Sequence, residues 1–158
     1  MLWAHPFFLR GNMNQQKSFV VRKADIAKTL KTKPTDGKRL LEPLKSIVAA
    51  HTLPMNILED KNVVNDAEVH THESDLWLCL EGVVTFTCGG TMVRPWHGKR
   101  ADGTENPNEL KAKTIKGGKK MVLKPGDWLW IPAGVPHSHS AKGTARLVIV
   151  KIPKVSSD

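Results

Sequence analysis

Long apolar runs are missing from this chain, and that absence removes one whole class of function. No stretch of its 158 residues comes near the roughly twenty consecutive apolar positions that a membrane-spanning helix needs. Cysteine is scarce: Cys79 and Cys88 are the only two, too few for a disulfide framework or a paired CxxC zinc site. They flank Glu81-Gly82, where a hairpin turn sets Cys79 opposite a residue near Val84 and keeps the two sulfurs apart. Two free thiols suit a reducing, cytoplasmic compartment. Also missing are a P-loop, a dinucleotide fingerprint, a nucleophile elbow and any internal repeat. The start holds Leu2, Trp3, Phe7, Phe8 and Leu9, but it lacks the basic opening and unbroken apolar core of a secretory signal. It reads as a loosely held arm suited to packing on a partner subunit, with Met13 as an alternative start.

What the chain does have is positive charge, 24 Lys and Arg against 15 Asp and Glu, for a formal +9. The lysines are scattered over loops and tails without aromatic interleaving, so nucleic acid is not the expected partner. A basic rim that attracts a small anionic molecule fits better. The apolar fraction of 40% and charged fraction of 25% are those of an ordinary globular protein able to bury a core.

Read in order, Ser18–Val21 is a candidate short strand, Lys23–Leu30 carries apolar residues at helical spacing, and Lys31–Gly37 is a polar connection. From Leu40 onward no helical signal is read. Short β-rich runs follow instead: Ser46–Leu53, Met55–Glu59, Val63–Thr71, Leu76–Leu80, Val83–Cys88, Met92–Arg94, Met121–Leu123, Trp128–Ile131, His137–Ser140 and Ala145–Ile152. Turn residues such as Asp60-Lys61-Asn62 and Pro125-Gly126 separate them. That pattern predicts an all-β sandwich or barrel over residues 40–158, preceded by an arm and short helix over residues 1–39. Pro95 to Lys120 breaks the rhythm and reads as a long loop, either a solvated excursion or a lid presenting lysines to an acidic ligand. Trp128 and Trp130 share one strand face, inward as a pocket wall or outward as a subunit interface.

The chemistry gathers in two places. Glu68-Val69-His70-Thr71-His72-Glu73-Ser74-Asp75 sets imidazoles and carboxylates side by side, and histidines at i and i+2 of a strand point to one side. Gly126 to His137 places an imidazole just after a second turn, Pro132-Ala133-Gly134, between two rigid corners. His139, two residues further along the same face, is a candidate general base or a group beside the pocket. His51 and His97 are read as residues without a site role.

These stretches resemble the signature motifs of the cupins, small jelly-roll barrels. Gly126, Pro132, Gly134 and His137 match the second motif, departing only where Ala141 stands for Asn. His70, His72 and Gly82 meet part of the first. The resemblance implies a jelly roll over Leu40 to Ile152, a divalent transition metal (Fe, Mn, Ni, Zn or Cu), a small-molecule substrate and a homodimer. Counting back from Gly82 without a gap puts Asp75 at the family's Glu position, His70 at its second His and Glu68 at its first, with His72 in the turn. Pairing His70 with His72 instead leaves a tighter turn before Asp75. Both registers keep His70, Asp75 and His137, and Glu68 and His72 compete for a fourth place. Two functions follow: a metal-dependent enzyme of dioxygenase or isomerase/lyase type, or a noncatalytic small-ligand-binding cupin with the same fold.

Overall fold

The computed structural model describes residues 17–154. The apolar arm and the alternative start at Met13 lie outside the described residues. The elements are α1 (Lys23–Leu30), β1 (Gly37–Leu40), α2 (Leu44–His51), β2 (Met55–Val64), β3 (Ala67–His70), β4 (Glu73–Glu81), β5 (Val84–Cys88), β6 (Thr91–Met92), β7 (Trp96–Lys99), β8 (Glu105–Ala112), β9 (Ile115–Lys116), β10 (Lys119–Leu123), β11 (Trp128–Ile131) and β12 (His137–Pro153). No helix among the described residues is long and apolar enough to cross a membrane.

β12 organises the sheet. It lies antiparallel to β2 along Ser140 to Val150, while its other edge takes β5 at His137 to Ser140 and β4 from Arg146 to Pro153. β10 extends β5, β11 extends β4, and β8 with β7 continues from β3. The curled antiparallel sheet is a jelly-roll barrel. Alternation fills its inside with Trp77, Cys79, Phe86, Leu129, Ile131 and Leu147, all buried. A second cluster, Leu41, Leu44, Val48 and Ile57, packs α2 on the outside of β2, with Ile26 and Leu30 of α1 against it. Arg146 locks this layer to the barrel: its guanidinium pairs with buried Glu59 at 2.8 Å and donates to the carbonyls of Leu30 and Thr32.

Several expectations change. The predicted hairpin at Glu81-Gly82 does not form, because β4 and β5 both run along β12 and the chain only turns a corner between them. Gly82 makes that corner. Its φ is +73°, and a Cβ there would lie 2.0 Å from the Thr144 carbonyl oxygen. The thiols are nonetheless free. Ser46–Leu53 is not a strand but most of α2: Leu44 and Val48, four apart, both bury into the outer cluster, and Glu42 caps the helix start by accepting from the Ser46 N–H and hydroxyl. Ser18–Val21 is irregular. Asp60-Lys61-Asn62 is no turn but the middle of β2, and the two last predicted strands fuse into β12 with an irregularity between Ala141 and Thr144. Pro95–Lys120 is not a lid. It forms β7, β8 and β9, with β8 paired to β3 over Ala67 to His70.

Candidate metal centre

β3 is where the site begins. Its residues alternate, with Ala67 and Val69 buried on one side and Glu68 and His70 on the other. The strand stops at His70, so the period of two ends before His72, which lies exposed in the turn with its Nδ1 on the Thr71 hydroxyl at 2.7 Å. The pair that shares a face is therefore Glu68 and His70. Opposite them stands His137, the first residue of β12 and the register partner of Glu68.

The second motif explains how His137 is aimed. The Val135 N–H donates to the Pro132 carbonyl at 3.2 Å, closing a turn whose third residue, Gly134, has φ +83°. Two bonds fasten that turn to the other side of the site. The Gly134 N–H donates to the His70 carbonyl at 2.7 Å, and the Ala133 N–H to the Ser74 hydroxyl at 2.9 Å. His137 and His70 are thus held by one joint, ring centroids 5.5 Å apart. Asp75 enters from β4, 1% exposed.

Four side chains converge. His137 Nε2 is 3.6 Å from Glu68 Oε1 and 3.3 Å from Asp75 Oδ2. His70 Nε2 is 3.8 Å from each of the same oxygens. Both Nε2 atoms and Asp75 Oδ2 are buried without a hydrogen-bond partner. Ligands about 2.1 Å from a common ion sit roughly 3.0–3.4 Å apart, so a small contraction would let the Glu68, His70 and His137 atoms share one. Glu68, His70 and His137 form a candidate His/Glu metal site. The tautomer also fits: His137 Nδ1–H donates to the Val135 carbonyl at 3.0 Å, leaving the Nε2 lone pair facing the cluster.

The charges of the cluster act on one another. Burial pushes the Glu68 carboxyl up, but the neighbouring His137 and His70 imidazoles and the charge of Lys38 outweigh it and hold it far below the usual range. Burial likewise raises Asp75, and His137 together with Lys151 overrides that and lowers it. Burial disfavours the His137 imidazolium, yet Asp75 and Glu68 push its pKa up to about 9. Glu68 and Asp75 already face Lys38 and Lys151, and on the imidazole side a proton on His137 or a metal ion would add further positive charge.

His139 is placed differently. It is 1% exposed, its Nδ1 lies 2.5 Å from Asp60 Oδ2 and 3.0 Å from the Asn65 amide, and its ring packs on Trp77 and Phe86. Trp77 lines the pocket described next, so His139 stands one side chain behind its wall. Burial pushes the Cys88 thiol up to about 11, which makes it a poor nucleophile. His51 ends α2 and stacks on Phe19, and His97 is exposed on β7. Trp128 and Trp130 face outward, 59% and 50% exposed.

A pocket of about 350 Å³ opens on the cluster, with Glu68 and His70 in its lining and mainly apolar walls. Two lysines at it escaped the sequence reading. Lys38 Nζ is 3.8 Å from Glu68 Oε1, and Lys151 Nζ is 2.7 Å from Asp75 Oδ1. The lysines of the expected lid serve elsewhere: Lys111 pairs with Glu109 and Lys113 with Asp66. Alternation in β1 and β12 was the available signal for Lys38 and Lys151, but it takes the barrel's closure to show which face is inside.

No family model and no curated protein matches the chain by sequence. Solved structures do match by shape. A recombinant oxalate oxidase in complex with glycolate is 17% identical, with 93% of this chain and 66% of that chain covered and a TM-score of 0.50. Hydroquinone 1,2-dioxygenase from Sphingomonas is 14% identical over 65% of this chain and 61% of that one, TM-score 0.44. The EutQ protein of Clostridium difficile is 15% identical over 63% and 50%, TM-score 0.38. The chain spans only half to two thirds of these proteins' length. The oxalate oxidase likeness speaks for the fold alone, and with the curled antiparallel sheet it gives this chain a cupin-like jelly-roll fold.

Proposed function

We propose that this chain is a metal-dependent enzyme of dioxygenase or isomerase/lyase type acting on a small anionic organic substrate. Glu68, His70 and His137 hold the metal, with Asp75 as a fourth ligand or as the carboxylate that orients them. What supports this is the convergence of the unpartnered, buried Nε2 atoms of His70 and His137 on two carboxylates at 3.3–3.8 Å. Two imidazoles with one or two carboxylates suit Fe, Mn, Ni, Zn or Cu in the divalent state. When bound, such an ion polarises a substrate oxygen or activates dioxygen. The remaining work falls to the chain. Lys38 and Lys151 attract the anion, the apolar wall excludes water, and His139 acts as a positioning residue that holds Trp77 through their ring contact.

The geometry also favours a second reading, a noncatalytic small-ligand-binding cupin: His137 Nε2 lies 3.6 Å from Glu68 Oε1 and 3.3 Å from Asp75 Oδ2, where a protonated ring would meet both carboxylates without a metal. The two separate on turnover. Protein stripped with chelator is resupplied with each of the five metals and offered a panel of aromatic, keto and sugar acids. The enzyme reading expects turnover restored by at least one metal and lost in His70→Ala and His137→Ala. Binding of an acid with no turnover under any metal favours the second reading. For assembly we propose a homodimer through the outward Trp128 and Trp130 of β11.

A further inference from the structure

Two hollows meet at His70 and Lys151. The first is the apolar pocket; the second, about 270 Å³, is lined by His72, Glu73, Asn106, Asn108 and Glu109 along with that pair. Their linings differ. Glu73 and Glu109 stand in the polar hollow, paired with Lys151 at 3.5 Å and Lys111 at 3.2 Å, whereas Lys38 lines only the apolar one. An acid with an apolar body therefore favours the apolar wall.

The floor of that pocket carries the carboxylates of Glu68 and Asp75 against the ammonium groups of Lys38 and Lys151, which cancel. A divalent ion leaves an excess of positive charge for an incoming carboxylate. Because Lys38 Nζ is only 3.8 Å from the candidate ligand Glu68, one carboxylate group is short enough to reach both the centre and Lys38. Beyond the floor the walls are Leu40, Val48, Leu53, Met55 and Ile149. A second carboxylate lying against them would be buried unpaired, at heavy cost.

From these features we infer that the site selects monocarboxylic acids with a bulky apolar body, the carboxylate held by Lys38 at the floor and the body along the wall. Short or dibasic acids fit poorly. A pocket of this volume lies at the lower end of the range that small ligands fill, so a single ring suffices. The inference rests on the reading of this pocket as the substrate site, and Lys38 is a specificity residue within it.

Calorimetric titration of the full chain with acetate, oxalate, cyclohexanecarboxylate, benzoate and neutral benzamide tests it, with metal content measured on the same samples. Expected are dissociation constants at least tenfold lower for benzoate and cyclohexanecarboxylate than for acetate or oxalate, and at least tenfold lower for benzoate than for benzamide. Lys38→Met removes the advantage of benzoate over benzamide with metal content unchanged, and Lys38→Arg restores it. Oxalate binding tighter than benzoate, or Lys38→Met leaving the benzoate advantage intact, overturns the inference. A metal-loaded protein without the size preference defeats this inference alone. A metal-free protein that keeps it defeats the metal reading and leaves the inference standing.

Discussion

Gly134 and Gly126 both need positive φ, at +83° and +95°, and a Cβ at either meets nothing within 4 Å. Replacing each by Ala costs about 1–2 kcal/mol of backbone strain, measurable by urea unfolding. Their effects on the site differ. Gly134 donates to the His70 carbonyl, whereas Gly126 donates to that of Cys79. Gly134→Ala is expected to weaken metal retention as well as stability, and Gly126→Ala stability alone. Equal metal retention in the two variants would mean the turn does not aim His137. At this scale the sequence was readable where a residue's backbone made it irreplaceable: Gly82, Gly134 and His137 stand at corners that only their motif order describes. It was ambiguous where the end of a strand decided. Glu68 and His72 flank His70 symmetrically in sequence, and only the halt of β3 at His70 puts Glu68 beside it and sends His72 to solvent. Lys38 and Lys151 were hidden among 24 basic residues, because no local pattern distinguishes a lysine at a pocket floor from one in solvent.

Between elements, the strongest joint is Glu59 on β2 with Arg146 on β12 and Arg39 on β1, at 2.8 and 2.9 Å. Glu59 is fully buried. Removing one partner of such a pair leaves the other charge unmet, so Glu59→Gln should cost about 3–5 kcal/mol at neutral pH. Burial raises the Glu59 carboxyl, but the Thr35 N–H and the guanidinium groups of Arg146 and Arg39 overcome that and set it below its ordinary range. A carboxyl depressed on folding adds stability above its unfolded pKa, about 4.3, and that stability fades as pH falls through the folded value. Unfolding free energies measured from pH 7 to pH 3 should therefore show wild type losing its lead over Glu59→Gln on the acid side. A constant gap would remove Glu59 from the acid response. Helix α2 and the β7–β8 extension were illegible for a related reason. Ile47-Val48 reads as strand until Leu44 and Val48 find a common surface, and β8 is so polar that only pairing with β3 makes it a strand.

For the whole molecule, β11 pairs with β4 alone among the described residues, and its outer face exposes two tryptophans. A dimer through that face predicts that Trp128→Ser with Trp130→Ser shifts sedimentation from dimer to monomer without unfolding. A wild-type monomer, or a double variant that stays dimeric, contradicts it. The barrel itself was foreseeable from the rhythm of short β-rich runs, and the pairing of β12 with β3 is what turns distant motif halves into one centre. That centre is the central claim. Elemental analysis of protein purified without added metal, alongside His70→Ala and His137→Ala, tests it most directly. The account predicts about one divalent transition metal per wild-type chain, sharply reduced in both variants. A folded wild-type chain free of metal, or variants that retain it in full, would contradict it.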